Sequence, residues 1–377
     1  MDPHMLVDSS SLAPLPVPYW FIELFKVLGF TLHLVPMNLW FAGIMTAMFL
    51  RAAGGEHAVV FSRRLMRQMP IIVAYGVNFG IVPLLFMQLA YSQFFYPATI
   101  LTAWYWMAIV VLLIPAYYGV YLYSFGLRDA EPSGPSPWRK FIGWTSAVLF
   151  MTIGYLLVNG LSLTEHVEAW SLLWGNHQVA GAATGTGANL YDVQILPRWL
   201  MMFGLALGTT AAWVVLDAAW FFREAPEAYR RWAGRFALGL ATVGAAWFAA
   251  AGSWYVFGTW PDGLFERMFA WPTLPLTLAT AVAPGLPVAL LVLMAVRGFT
   301  RAGATSVAAA QFGALALNAI SRQVVQNIRV GAFADLAGRP TEIEWGPLVT
   351  FLVLFVAGAL VILWMVAQVV KAARGAA

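Results

Sequence analysis

The sequence predicts an all-α polytopic membrane protein with nine transmembrane helices, an N-terminus outside and a cytoplasmic C-terminus. Charge is scarce, because only 10% of the 377 residues are Asp, Glu, Lys or Arg, whereas 61% are hydrophobic. The mean hydropathy of +0.75 is far above that of soluble globular proteins. The few charged residues lie in short clusters between apolar runs of about 20 residues, which is the length that an α-helix needs to cross the hydrocarbon core.

The apolar runs divide the chain into nine spans, whose boundaries we expect to hold within a few residues. These spans are Pro18–Leu50, Pro70–Phe94, Leu101–Leu127, Lys140–Leu163, Arg198–Phe222, Ala233–Phe257, Pro272–Val296, Gly303–Asn327 and Trp345–Val370. Residues 18–371 therefore form the transmembrane domain, between a periplasmic tail (1–17) and a cytoplasmic tail (372–377). The longest outer connection is 164–197. The first run exceeds the length that a bilayer requires, so we expect its helix to tilt or to project into water.

The orientation follows from basic residues, which are concentrated in alternate connections. The basic connections hold Arg51, Arg63, Arg64 and Arg67; Arg128, Arg139 and Lys140; Arg223, Arg230, Arg231 and Arg235; Arg297 and Arg301; and Lys371 and Arg374. By contrast, residues 95–100 have no Lys or Arg, and residues 259–271 have only Arg267. Because basic loops stay in the cytoplasm, this alternation places the N-terminus outside. The net charge of +4 is thereby explained by topology, and no nucleic-acid partner is expected.

Several kinds of chemistry are excluded by composition. The chain has no Cys, so it has no disulfide, thiolate metal site, iron–sulfur cluster or covalent CxxCH haem attachment. No motif for phosphoryl transfer, acyl transfer or hydrolysis is present either, and no catalytic residue is predicted. Any chemistry must therefore come from the few polar side chains within the spans, where ionisable groups are functional candidates.

His33 is the only one of the five histidines that lies within a predicted span. Met37 is one turn further along the same helix face, and Pro36 leaves a backbone carbonyl of the preceding turn without its usual donor. Two interpretations of His33 stay open. An imidazole nitrogen can be the axial ligand of a haem, or the side chain can be a neutral histidine that bonds a neighbouring helix.

Other polar residues within the spans have simpler interpretations. Glu23 and Lys26 are three residues apart near the outer end of the first span, which favours a local ion pair. Asp217 is near the cytoplasmic end of the fifth span, where water or Arg223 could reach it. Asn78 is expected to make an interhelical hydrogen bond of modest strength.

The outer end of the eighth span is rich in polar residues. Arg322 and Gln323 are followed by Gln326, Asn327 and Arg329. These residues are either a solvated helix end or an anion site, which would suit a haem propionate or a quinone head group.

The order of these landmarks resembles subunit I of the cytochrome bd quinol oxidases over almost the whole chain. The motifs that carry the resemblance are His33-Leu34-Val35-Pro36, Gly76-Val77-Asn78-Phe79, Val158-Asn159-Gly160 and Ser321-Arg322-Gln323. They are similar to the family's haem-ligating His segment, its Gly-x-Asn-Phe signature, its Ala-Asn-Gly and its Gly-Arg-Gln, respectively. Nine spans with an outside N-terminus is also that family's topology. The resemblance implies a location in the bacterial inner membrane.

Most of the family's haem ligands have no counterpart in this chain. The two Glu of the family's third span correspond to Trp106 and Ile114, which we expect to fill the volume that the haems would occupy. The His of the fifth span falls within 199–202, and the Glu of the eighth within 311–313. The Met of the seventh span has no counterpart, and the quinol-binding loop is shortened to Gly258–Trp271. A three-haem oxidase is therefore not expected.

The predicted function is an integral membrane subunit of a bacterial respiratory electron-transfer complex, without oxygen-reducing activity of its own. It would hold at most one b-type haem at His33, and the candidate cofactor-binding residues are His33, Met37, Asn78, Arg322 and Gln323. The expected partners are a bd subunit II-like or a paralogous subunit I-like protein, a periplasmic c-type cytochrome and the lipid bilayer. The alternatives are a haem-free scaffold, a quinone-binding subunit, and a transporter or channel-like protein that uses Asp217, Arg322 and the amides near the membrane midplane as a pathway.

Overall fold

A computed structural model describes residue 7 and residues 13–128 and 136–375. Of the predicted tails, residues 1–6, 8–12 and 376–377 lie outside the described residues. The described helices are α1 (Tyr19–Asn38), α2 (Ile44–Ala53), α3 (Glu56–Ala90), α4 (Ser92–Leu101), α5 (Ala103–Arg128), α6 (Pro137–Ser162), α7 (Trp170–Asn176), α8 (Ile195–Leu216), α9 (Glu227–Thr259), α10 (Asp262–Met268), α11 (Leu274–Val282), α12 (Gly285–Arg297), α13 (Arg301–Val330) and α14 (Trp345–Gly375). A short antiparallel hairpin, β1 (Gln178–Val179) and β2 (Ala182–Ala183), lies between α7 and α8.

Eight helical segments in the described part of the chain are long and apolar enough to cross a membrane, which confirms the all-α polytopic membrane class. They are Tyr19–Ala53, Glu56–Ala90, Ala103–Leu127, Pro137–Ser162, Ile195–Phe221, Glu227–Thr259, Leu274–Arg297 and Arg301–Val330. In each of these segments we find one of the first eight predicted spans. The predicted ninth span falls on α14. The apolar stretch described there, Trp345–Val361, is shorter than the eight segments above.

The second helix extends well beyond its predicted span. It begins at Glu56, not at Pro70, so Arg63, Arg64 and Arg67 are helical. With 35 residues α3 is about 52 Å long, whereas the hydrocarbon core is about 30 Å thick. The clustered arginines therefore indicate where the helix leaves the hydrocarbon, and not where the helix ends.

Short irregular segments interrupt three of the spans. One π-helical turn (Leu39–Gly43) joins α1 to α2, and another (Asp217–Phe221) follows α8. The predicted seventh span is broken into α11 and α12 at Ala283 and Pro284. A π-turn leaves backbone groups out of the regular helical pattern, and such turns are frequent at functional sites.

The helices pack mainly against their sequence neighbours: α1 on α3, α5 on α6, and α8 along α9. The largest apolar core joins α2, α3, α5, α6, α8 and α9. We call the end of the bundle that carries residues 164–194 the loop end, and the opposite end, where Arg64 lies, the arginine end. A second apolar core, which includes Tyr91, Phe94 and Trp170, closes the loop end.

Candidate cofactor-binding cavity

A cavity of about 590 Å³ lies within the bundle and is bounded by residues of α1, α3, α5, α6, α8, α9, α11 and α13. Most of its lining is apolar or aromatic. The charged side chains that line it are Lys26, Glu165, Arg198 and Arg322. A large apolar cavity with a few polar groups is the usual form of a small-molecule or cofactor site.

One face of α1 forms a wall of this cavity. Lys26, Phe30, His33 and Met37 all line it, and their spacing of four, three and four residues places them in a single stripe along the helix. The rise from Lys26 to His33 is about 10 Å along the axis. The stripe therefore carries a cation toward the loop end, and an imidazole and a thioether nearer the middle of the membrane.

The imidazole of His33 is held in one orientation by α3. Its Nδ1 lies 2.7 Å from the backbone oxygen of Gly76, and because a carbonyl only accepts, Nδ1 must carry the proton. Gly80 leaves the space for the ring, since a Cβ there would lie 2.7 Å from the Cε1 of His33. No described residue donates a hydrogen bond to Nε2, so the lone pair of this nitrogen is free. His33 itself lines the cavity.

The two predicted interpretations of His33 are therefore compatible. The side chain does bond a neighbouring helix, but it uses only one nitrogen to do so. A histidine that donates one ring N–H to a backbone carbonyl, with the other nitrogen free, has the arrangement found in metal-ligating histidines. Met37 lines the same wall as His33 and packs against two apolar cores.

Arg322 is a half-buried cation without an anionic partner. Its guanidinium lies 4.8 Å from the ring centroid of Phe30, and in the described part of the chain it makes no side-chain hydrogen bond or ion pair. It also lines the cavity. A guanidinium in a low-dielectric site binds carboxylates strongly, so this position favours an anionic group.

Two further cations line the same cavity. The buried Lys26 donates a hydrogen bond to Gln326, and its ammonium lies 4.1 Å from the centroid of the Tyr91 ring. Arg198 forms an ion pair of 3.4 Å with Glu165, and both side chains are buried. The described lining thus has three cations and one carboxylate, a balance that favours a ligand with negative charge.

The predicted local ion pair between Glu23 and Lys26 is not formed, because both side chains contact α13 instead. Glu23 accepts hydrogen bonds from Gln323, at 3.1 Å, and from Asn327. Gln323 also lies 2.7 Å from the hydroxyl of Tyr91. Gln323 therefore lines the cavity as part of a network that ties α1 and α3 to α13.

The structure does not bring every predicted residue to the cavity. Asn78 is exposed on the outside of α3, where its amide donates to the oxygen of Ala74 at 2.8 Å, so its predicted place in a cofactor site is not supported. Trp106 lines the cavity as expected. Ile114 is 67% exposed on the outside of α5. The prediction that Ile114 fills interior volume is therefore wrong.

Asp217 lies at the arginine end and does not line the cavity. Its partner is Arg64 and not Arg223, and its side chain is only 1% exposed. The guanidinium makes two hydrogen bonds to the carboxylate, at 2.7 and 2.9 Å, and Gln68 donates a third at 3.1 Å. Asp217 is thus tied to Arg64 in a bidentate ion pair between α3 and the π-turn after α8.

The polar network at the loop end was not predicted from the sequence. A second cavity, of about 600 Å³, lies there and shares Glu165 and Trp260 with the first. Near it, Nδ1 of His166 lies 2.8 Å from Asp192, and Arg329 bonds both His166 and Gln194. In the sequence, Arg198 is the first residue of a predicted span and Glu165 lies in the outer connection. No local pattern indicates that the two side chains meet.

The carboxylates at the loop end predict that the folded protein loses stability at acidic pH. Burial raises the pKa of Glu165, but Arg198 and the neighbouring cations more than offset this, so the net pKa is lowered. Burial also raises the pKa of Asp192, but the imidazole of His166, 2.8 Å away, and the neighbouring Gln194 backbone and Arg198 more than offset this, so the net pKa is lowered. Their stabilisation is therefore complete above their unfolded pKa values of about 4, and is lost as the pH falls through the lower folded values.

We therefore expect the thermal midpoint in detergent to fall below about pH 4, and Glu165→Gln to flatten that fall. Melting curves between pH 3 and 7 measure the effect. Glu168→Gln is the matched control, because Glu168 is exposed in the same segment. If the thermal midpoint falls as steeply with decreasing pH in Glu165→Gln as in the unmodified chain, the Glu165 carboxylate does not stabilise the fold.

Comparison of the chain with protein-family models gives no match, and no curated protein matches it at a significant level. The resemblance to subunit I of the cytochrome bd oxidases therefore rests on the motifs and their order. Among the residues that the structure describes, no group of three or more His, Asp and Glu side chains could hold a metal ion.

Proposed function

We propose that this chain is an integral membrane electron-transfer subunit that binds one b-type haem through His33. The observation that carries the proposal is the orientation of this histidine. Its Nδ1 is bonded to the carbonyl of Gly76, its Nε2 has no hydrogen-bond partner among the described residues, and the residue lines a cavity of about 590 Å³. Axial ligation by a histidine whose second nitrogen is fixed by a carbonyl is a common mode of haem binding.

The residues present fit the chemistry of a haem. Its apolar macrocycle matches the aromatic lining, and its two propionates match the unpaired Arg322 and the buried Lys26. When bound, a haem would supply one-electron redox chemistry. The chain would hold the imidazole in one tautomer through Gly76, keep water from the apolar wall, and neutralise the propionates toward the loop end.

The finer assignments are part of the same proposal. The bundle would have α14 as a ninth span, an outside N-terminus and a cytoplasmic C-terminus, in the bacterial inner membrane. The cluster of Arg63, Arg64 and Arg67 near one end of α3 supports that orientation. The subunit would act with a bd subunit II-like or paralogous subunit I-like protein, and a periplasmic c-type cytochrome would exchange electrons with it. It would not reduce oxygen by itself.

One observation favours a second candidate, a haem-free subunit that binds a quinone. Four residues that line the cavity have buried N–H groups for which no described residue is an acceptor: Trp106, Trp199, Trp260 and Gln326. A neutral ligand with two carbonyl oxygens would satisfy such donors. A quinone needs no axial histidine, so His33 separates the two candidates.

The test is a visible spectrum of the full chain purified from haem-replete bacterial membranes. We expect a Soret band and one haem per chain by pyridine haemochrome assay, both lost in His33→Ala. The control is His177→Ala, whose ring contacts Thr186 between α7 and α8, outside the cavity. This variant should retain the haem.

Two outcomes would overturn the haem proposal. One is a colourless unmodified chain, and the other is a Soret band of unchanged strength in His33→Ala. A colourless chain that releases a quinone on solvent extraction would establish the second candidate instead.

A further inference from the structure

Three arginine side chains converge on the last turn of α5, at the arginine end. The guanidinium of Arg63 donates to the backbone oxygen of Leu127 at 2.8 Å, and that of Arg67 donates to the same oxygen at 3.3 Å. From α6, Arg139 donates to the backbone oxygen of Gly126 at 3.1 Å. A helix C-terminus attracts cations, because its last carbonyls have no intrahelical donor. We call Arg63, Arg67 and Arg139 the cation cluster.

The cluster is built into the packing of three helices. α5 packs on both α3 and α6, which carry the three arginines. Gly126 makes room for Arg139, since a Cβ at Gly126 would lie 2.6 Å from the Cδ and the Nε of that side chain. The Nε of Arg63 is buried, and no described residue accepts its hydrogen. The guanidinium groups are thus held in place with hydrogen-bond donors to spare, because each of them has five N–H groups.

The positive charge of the cluster is not compensated within the part of the chain that the structure describes. None of the three arginines forms an ion pair with a described carboxylate. Arg64 of the same helix shows the contrast, since it is paired with Asp217. Lys140, next to Arg139, is exposed and adds a fourth cation. Cations that are held together repel each other, so the cluster favours an anionic ligand.

The cluster lies where three spans leave the hydrocarbon. The membrane-crossing segment of α5 ends at Leu127, and that of α6 begins at Pro137. The predicted apolar run of α3 begins at Pro70, three residues beyond Arg67. Lipid phosphates surround a membrane protein at this level, just outside the hydrocarbon core. The anions that a membrane brings closest to the cluster are therefore those of its lipid head groups.

Aromatic side chains flank the cluster on α6. Trp138 and Phe141 are 67% and 59% exposed, and their rings stack with 5.5 Å between the centroids. Arg139 lies between them in the sequence. Exposed aromatic rings at the end of a span are typical of the membrane interface. The site therefore combines donors for a phosphate with an apolar surface for the acyl chains that are attached to it.

We propose that the cation cluster binds the phosphate of an anionic phospholipid, such as phosphatidylglycerol, in the leaflet at the arginine end. A phosphodiester accepts hydrogen bonds from several guanidinium groups and supplies the missing negative charge. A zwitterionic lipid such as phosphatidylcholine also carries a cation, so it compensates the cluster less well. The site is independent of His33, and the lipid would bind whether or not the chain holds a haem.

The test is native mass spectrometry of the full chain, delipidated in detergent and titrated with either phosphatidylglycerol or phosphatidylcholine. We expect one phosphatidylglycerol per chain to bind at least about tenfold more tightly than phosphatidylcholine, because several cations act on one phosphate. Arg63→Gln and Arg139→Gln should each weaken the binding of phosphatidylglycerol about fivefold and leave that of phosphatidylcholine unchanged.

Arg231→Gln is the matched control, because Arg231 is also at the arginine end but is paired with Glu227 at 3.0 Å. This variant should bind phosphatidylglycerol as the unmodified chain does, and circular dichroism checks that every variant keeps its helicity. Equal affinities for the two lipids would overturn the proposal, as would unchanged binding of phosphatidylglycerol in Arg139→Gln. Complete displacement of the lipid by inorganic phosphate would overturn it too, since it would indicate an adventitious ion only.

A further variant tests whether the chain supplies the anion itself. The connection between α5 and α6 contains Asp129 and Glu131, which lie outside the described residues. The double replacement Asp129→Asn, Glu131→Gln should leave the preference for phosphatidylglycerol as it is. If it strengthens the binding of this lipid by as much as Arg139→Gln weakens it, the connection competes for the cluster and the proposal is wrong.

Discussion

Replacement of Arg64 by Ala is expected to lower the free energy of unfolding by about 3–5 kcal/mol, which is typical when one partner of a buried ion pair is removed. The Asp217 carboxylate is 1% exposed and would lose two charge-assisted hydrogen bonds. Gln68 and Trp213 would remain nearby, but neither of them carries the opposite charge. Unfolding of the purified chain by increasing fractions of SDS measures the change.

Arg67→Ala provides the matched control for this prediction. Arg67 is one turn further along α3, and the one acceptor of its guanidinium among the described residues is the backbone oxygen of Leu127, at 3.3 Å. We expect its loss to cost less than about 1 kcal/mol. The double replacement Arg64→Leu, Asp217→Leu should recover most of the stability, because it leaves no buried charge. If Arg64→Ala and Arg67→Ala unfold alike, the pair contributes no net stability.

The helical segments could be predicted because hydrocarbon imposes a simple rule on composition. The fourth span was predicted as Lys140–Leu163 and the helix is Pro137–Ser162. The rule fails where a helix extends into water, as in α3, and where a span is broken, as at Pro284. Hydropathy measures solvation of side chains, and it does not report whether the backbone continues as a helix.

The site could be predicted only where one residue stood out within its own helix. His33 was identified because it is the one histidine in a span, and Arg322 because a cation in a span is rare. The pairing of Asp217 with Arg64 joins positions 153 residues apart, and no local pattern indicates it. Asn78 was misplaced for a geometric reason. It follows Gly76 by two residues, or about 200° around the helix, so it points away from the face on which Gly76 meets His33.

A close backbone approach between α8 and α9 predicts a second large effect, at Gly244 of α9. A Cβ there would lie 2.8 Å from the backbone oxygen of Gly204 and 3.0 Å from the backbone nitrogen of Gly208, both in α8. These are main-chain atoms, which cannot turn away as a side chain can. Gly244→Ala must therefore push α8 and α9 apart, and should destabilise the chain by about 1–3 kcal/mol.

Gly239→Ala tests whether this loss comes from the contact or from helix propensity. Gly239 is on the same helix, five residues earlier, and a Cβ there meets no atom within 4 Å. Ala is the better helix former, so this variant should gain about 0.5–1 kcal/mol in the same SDS titration. The changes in the free energy of unfolding of the two alanine variants should therefore have opposite signs. If both variants stabilise the chain, then α8 and α9 are not in backbone contact at Gly244.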